Sequence, residues 1–168
     1  AKQLSIPQLC DGMKELNIPR CGCMSSEINA VHPDMKVVGT AVTVDTSNGD
    51  NFPVHVATYA VPEDGYVMVI AGKGYMERAY LGDLIMGAAQ AAGYVGIVVD
   101  GCTRDRKGNI ELGFPVFSRG FMPAGPTKKD PGNINSTVTC GGVEVAPGDL
   151  IVGDCDGVCV VPSERIIE

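Results

Sequence analysis

Gly82-Asp83-Leu84-Ile85-Met86-Gly87-Ala88-Ala89-Gln90-Ala91-Ala92-Gly93, followed by Val95-Gly96-Ile97-Val98-Val99-Asp100-Gly101, is the stretch on which the fold turns. The first segment reads as a helix whose small residues permit close packing and whose stop is Gly93. The second is a continuous apolar run entering a glycine turn, the pattern of a strand covered on both faces. A helix feeding a buried strand implies a βαβ rhythm, and ligands in such sheets collect beyond the carboxyl ends of the strands.

The flanking sequence repeats this pattern. Upstream, Glu63 to Gly72 has turn chemistry and then an apolar run, and Val37 to Val44 is a β-branched strand. Between them Asn48-Gly49-Asp50-Asn51 breaks the chain, and Phe52 to Tyr59 fits a short helix or an extended piece equally well. Downstream, a short helix through Ile110-Glu111-Leu112 leads to Gly113 and a strand from Phe114 to Ser118. Pro147 to Asp154 is a further buried strand. Ser136 to Val161 alternates β-branched residues with Gly-Gly, Pro-Gly and Asp-Gly turns, which predicts antiparallel hairpins. At the start, Ser5 caps a helix carrying Pro7 in its first turn and running to about Leu16. Together these elements predict a mixed α/β sandwich, not a Rossmann fold.

The chain has 168 residues, enough for one ordinary domain spanning 1–168. With 45% hydrophobic residues and no Trp, the core is left to Val, Ile, Leu and Ala. A net charge of −7 and scattered basic residues argue against a nucleic-acid partner, whose phosphates require clustered Lys and Arg. No apolar run approaches the roughly 18 residues of a membrane helix, and the start lacks a charged-then-apolar leader, so a cytoplasmic location is expected. Seven cysteines form an odd set without framework spacing, which predicts free, mostly buried thiols. Cys21-x-Cys23 and Cys155-x₃-Cys159 are only fragments of a zinc pattern.

No G-x-G-x-x-G follows a strand, and neither a P-loop nor a G-x-S-x-G elbow occurs. Chemistry points instead to Cys102-Thr103-Arg104-Asp105, directly after the Val95 to Gly101 strand. Arg104 offers a planar fork for a carboxylate, and Asp105 a hard oxygen suited to Mg²⁺ or Mn²⁺. Alternatively the pair is a surface cap on the following helix. A second element is the helix start Gly82-Asp83-Leu84-Ile85, whose backbone N–H groups can receive an anion, with Asp83 orienting metal-bound water or acting as a plain N-cap. His32 and His55 are the only histidines, and both read as structural or solvated. Asp154 and Asp156 fit a turn better than a metal loop.

Taken in order, Gly82 to Ile85, Asp100 to Asp105, Leu112 to Phe117, Arg119-Gly120, and Gly148-Asp149 through Asp156-Gly157-Val158 to Pro162 give the chain a resemblance to the RraA-like family. That family includes the 4-hydroxy-4-methyl-2-oxoglutarate aldolases and the regulators of ribonuclease E. The resemblance implies a β/β/α swivelling-type fold, a trimer or doubled trimer, and a site between subunits. It implies a metal-dependent lyase that cleaves a C–C bond of a 2-oxo acid to give pyruvate, as an aldolase or an oxaloacetate decarboxylase. Asp105 would hold Mg²⁺ or Mn²⁺, Arg104 the pyruvyl carboxylate, Gly82 to Ile85 would give backbone donors, and Asp83 would hold metal-bound water. The aldolase pattern places an acid three positions after the Asp, where this chain has Gly108. A further acid, from a neighbouring subunit's C-terminal helix, has no counterpart up to Glu168. The alternative within the family is a non-catalytic, protein-binding regulator of ribonuclease E.

Overall fold

The computed structural model describes residues 5–60 and 64–167, except the side chains of Arg20 and Cys21. Glu63 and Glu168, which entered the sequence argument, lie outside the described residues. The central run is β2 (Val37–Asp45), α2 (Phe52–Ala60), β3 (Tyr66–Leu81), α3 (Asp83–Ala91), β4 (Tyr94–Thr103), α4 (Arg106–Leu112) and β5 (Val116–Phe121). Strands β2 to β5 are parallel neighbours, each crossover made by one helix. Before them come α1 (Ile6–Glu15) and the short β1 (Asn29–Ala30), which pairs with β5. After them come β6 (Asn133–Ile134), the hairpin β7 (Val138–Cys140) and β8 (Val143–Val145), and the hairpin β9 (Leu150–Asp154) and β10 (Gly157–Val161). The main sheet runs β1-β5-β4-β3-β2-β9-β10, with β6 added on β2, and β9 joins β2 antiparallel.

Side-chain alternation explains the uninterrupted apolar runs. On β3, Met68 and Ile70 enter one core with Met86 of α3 and Val54 of α2. Val67, Val69 and Ala71 point the other way, into a core with Val138, Val145 and Val160. Ile97 and Val99 of β4 divide from Val98 in the same manner. Helices α2 to α4 cover one face of the parallel strands, and the sheet curls into a nearly closed barrel so that β9 and β10, with the β7–β8 hairpin, enclose the core on the other face, a mixed α/β architecture.

Phe52 to Ala60 is helical, which settles the segment left open by the sequence. β3 is longer than expected, continuing from Gly72 to Leu81 through register shifts between Ile70 and Leu81 that bend it over the end of β4. Asp100, 5% exposed, pairs with Arg119 and accepts the Gly141 N–H at 2.9 Å, pinning β4, β5 and the β7–β8 turn together. Glu27 completes this cluster on the solvent side of Arg119. No helix of the described residues is long and apolar enough to cross a membrane.

Candidate functional site

Arg104 and Asp105 follow the last residue of β4, and the Arg104 N–H bonds Leu81 O at 3.0 Å, so the ends of β3 and β4 meet there. Asp105 adopts a left-handed conformation at φ 55°. Asp105 is the N-cap of α4 as the cap reading expects, its carbonyl accepting the Asn109 N–H at 3.0 Å, but its side chain makes no capping bond to the helix. The carboxylate turns instead to α3, where Oδ2 lies 3.4 Å from the Asp83 backbone nitrogen and 3.6 Å from Arg104 Nε. Both side chains are 43% exposed, so the ion pair is worth about 0–1 kcal/mol. Left-handed backbone on a non-glycine residue costs about 1 kcal/mol or more. The ion pair itself therefore contributes little to the fold.

Gly82 makes this approach possible, because a Cβ there would collide with Asp105 Oδ2. Gly82, not Asp83, is the N-cap of α3, which corrects the reading of Asp83 as a plain cap. Asp83 and Ile85 are half-buried and Leu84 is 85% exposed at the helix entrance. The Asp83 carboxylate faces Gly108, where an added Cβ would lie 2.7 Å from its Oδ2. Gly108 thus adjoins Asp83 and leaves no room beside its carboxylate for a larger side chain without a shift.

A pocket of about 290 Å³ opens between Gly82, Leu84 and Ile85 on one side and Arg104 and Asp105 on the other. Its lining also includes three residues that no local sequence pattern places there, Asn51, His55 and Lys128. Asp50 gathers them. Its buried carboxylate accepts the Phe52 N–H at 2.9 Å, the Thr127 hydroxyl at 2.8 Å and the Lys129 N–H at 2.7 Å, clamping the 50s loop to the 120s loop. Burial opposes ionisation of Asp50, but these donors outweigh it and hold the carboxyl below its ordinary value. The clamp is complete above pH 3.8 and is lost only as pH falls through that lowered value. Asn51 is 3% exposed and its buried Oδ1 has no hydrogen-bond partner among the described residues, a situation that costs about 1–3 kcal/mol. Burial, with Lys128 adding to it, holds the His55 imidazole below its usual value. His55 is therefore neutral at pH 7, and Arg104 and Lys128 carry the pocket's positive charge.

Among the residues lining the pocket, Asp105 is the one carboxylate a hard divalent cation could use. An ion of the Mg²⁺ class is commonly held by one or two carboxylates plus water and substrate oxygens, so Asp105 would have to share it with both. Elsewhere, His32 pairs with Asp34 on the surface, and Asp154 accepts the Asp156 N–H in the β9–β10 turn. No disulfide joins the described cysteines. Cys102, Cys140 and Cys159 are buried, but Cys10 and Cys23 are half-buried and Cys155 is exposed, so burial is less general than expected.

Comparison with known proteins agrees with this architecture. A "Putative 4-hydroxy-4-methyl-2-oxoglutarate aldolase" of Halalkalibacterium halodurans is 45% identical over 140 residues, 83% of this chain and 66% of the relative, so the chain spans just under two thirds of that protein. The solved structure of Streptomyces coelicolor RraAS2, described as an unusual member of the RNase ES inhibitor RraA protein family, superposes with a TM-score of 0.86 at 31% identity, covering 97% of this chain and 83% of that one. The RNA-processing inhibitor RraA from Thermus thermophilis shares the fold, with a TM-score of 0.76 at 24% identity over 83% of this chain and 84% of that one. A family model, RraA-like: Aldolase/RraA, matches residues 6–160, and the chain belongs to the RraA-like family.

Proposed function

We propose that the chain is a divalent-metal-dependent lyase that releases pyruvate from a 2-oxo acid carrying a second carboxylate. The observation that carries this reading is that one pocket is lined by Arg104, Asp105 and Lys128 beside the start of α3, two cations and a carboxylate around one cleft. Arg104 holds the carboxylate next to the keto group through its fork, and the first backbone N–H groups of α3 orient the same end. Asp105 would be the ligand for Mg²⁺ or Mn²⁺, and Asp83, whose carboxylate lies toward Gly108 outside the pocket lining, would reach that ion only through water. A bound cation would polarise the keto oxygen and stabilise negative charge there when the C3–C4 bond breaks. Lys128 pairs with the distal carboxylate.

Retro-aldol cleavage also requires a base for the hydroxyl proton. With glycine and not an acid at position 108 beside Asp83, decarboxylation of oxaloacetate is the less demanding reaction, since CO₂ departs without that proton transfer. The experiment is a panel of 2-oxo acids with and without a distal carboxylate, followed by pyruvate release with Mg²⁺, Mn²⁺ or chelator. Metal-dependent release from oxaloacetate or 4-hydroxy-4-methyl-2-oxoglutarate is expected. Rates equal to those in buffer with the same metal would end the enzyme reading.

We further propose that the chain works as a trimer or a multiple of it. Phe52, Val56 and Tyr59 form an exposed apolar stripe at i, i+4 and i+7 on α2, on the helix that carries His55 into the pocket, and Leu84 adds to the exposed apolar surface at the pocket mouth. Light scattering should give three or six chains per particle, and a monomer at micromolar concentration contradicts this. The similarity to RraAS2 supports a second reading, a protein-binding regulator of an E-type ribonuclease. Tight inhibitory binding to such a nuclease by a protein silent on the whole panel would put that reading first.

A further inference from the structure

Three cysteines far apart in sequence meet at one point. Cys10 lies on α1, Cys23 follows a tight helical turn at Pro19–Gly22, and Cys159 sits in the middle of β10. Their sulfurs form a closed triangle, 2.9 Å from Cys10 to Cys23, 3.2 Å from Cys10 to Cys159 and 3.4 Å from Cys23 to Cys159. Two corners are fixed by backbone, since Cys23 and Cys159 form an antiparallel bridge and the Met24 N–H bonds Val158 O at 2.9 Å. The third is delivered by α1, which packs Ile6 and Met13 against Val152 and Val161.

We propose that Cys10, Cys23 and Cys159 form a three-thiolate site for a thiophilic metal ion, Zn²⁺ or Cu⁺, that staples α1 to the end of the sheet. The sulfurs are closer than the roughly 3.5–4.0 Å at which non-bonded heavy atoms pack, and well beyond the roughly 2.05 Å of a disulfide. Three sulfurs bonded at about 2.3 Å around a tetrahedral ion lie about 3.8 Å apart, so the triangle becomes a donor set when its edges lengthen by less than about 1 Å. A disulfide would use two of the thiols and strand the third, whereas a metal uses all three. The surroundings are apolar, which favours soft sulfur ligation over a hard cation held by oxygen. Cys159 forms a fully buried floor, while the half-buried Cys10 and Cys23 leave a path for the ion to enter. Binding releases the thiol protons to solvent and leaves the metal's oxidation state unchanged. A zinc ion would complete its tetrahedron with water.

The site is separate in kind and place from the Arg104–Asp105 pocket. Its sulfur donors differ from carboxylate oxygen, and β3, β2 and β9 intervene in the sheet between β4 and β10. Its test is therefore independent of the proposed lyase activity. The full chain, reduced and kept anaerobic, is titrated with Co²⁺ and Cd²⁺ as spectroscopic probes and then with Zn²⁺. One ion per chain should bind with a sulfur-to-metal charge-transfer band, and three thiols should lose reactivity toward a disulfide reagent. At a metal concentration about a hundred times Kd, Tm should rise by about 5–10 °C. Cys10→Ser, at a half-buried position, should weaken binding by at least the roughly 10- to 100-fold that loss of even an outer-sphere partner costs, with its melting curve showing that it folds. Cys155→Ser, at an exposed thiol outside the triangle, should bind like the parent. Absence of the band at one equivalent of metal, or a Cys10–Cys23 disulfide in the untreated protein, overturns the proposal.

Discussion

Asp105→Asn is expected to lose both divalent-metal binding and pyruvate release while melting like the parent protein. The substitution keeps the side chain's shape and removes the charge that holds a hard cation. Charge stabilisation by such a cation is worth several kcal/mol, so turnover should fall roughly a thousandfold or more. The fold should not notice, because a pair 43% exposed with a 3.6 Å separation contributes little to stability. Arg104→Lys provides the contrast. Charge survives but the bidentate fork does not, so kcat/KM should fall roughly 30- to 150-fold, equivalent to about 2–3 kcal/mol, with metal affinity nearly unchanged. Calorimetric metal titration, steady-state kinetics and melting temperature separate the two effects. An Asp105→Asn protein that binds Mg²⁺ and turns over normally would remove Asp105 from the metal site.

Asp100→Ala should have the opposite signature, a large loss of stability. Its carboxylate is 7% exposed, pairs with Arg119 and accepts the Gly141 N–H. Burial works against the Arg119 charge, but Asp100 and Glu27 outweigh it and raise the guanidinium above its ordinary value. Removing Asp100 leaves that charge and a buried N–H uncompensated, which costs about 3–5 kcal/mol for a fully buried pair. Glu27 remains as a solvent-side partner, so the lower end is expected, about 3 kcal/mol and a Tm drop of about 6–12 °C. Thermal and denaturant unfolding check this, and a drop below about 2 °C would show that Arg119 is satisfied without Asp100.

The parts of the fold legible in the sequence are those whose pattern is local. The strand from Val95 and the helix from Gly82 were readable because a sheet buried on both faces demands a continuous apolar run, and Gly93 stops the helix with φ +100°. Phe52 to Ala60 was not, because α2 places apolar residues on both sides, with Phe52, Val56 and Tyr59 outward and Val54 and Ala57 inward. Without amphipathic contrast the period disappears. β3 ran past its expected end because register shifts carry it through the polar stretch Lys73 to Arg78. At the site, Arg104 and Asp105 stood out as a charged pair after a buried strand. Asn51, His55 and Lys128 did not, because Asp50 assembles them through contacts 77 and 79 residues apart. The thiol triangle was hidden for the same reason, since positions 10, 23 and 159 share no spacing.

Binding of oxalate, a planar dianion that resembles the enolate of pyruvate, tests the pocket most directly because it needs no turnover. Calorimetry of oxalate is run with and without Mg²⁺ on the parent, Arg104→Lys and Asp105→Asn. Tight binding is expected only for the parent with Mg²⁺, with Arg104→Lys weakened and Asp105→Asn insensitive to the metal. Oxalate affinity that is the same with and without Mg²⁺ in the parent, or unchanged in both variants, would contradict a metal-and-carboxylate site at Arg104 and Asp105.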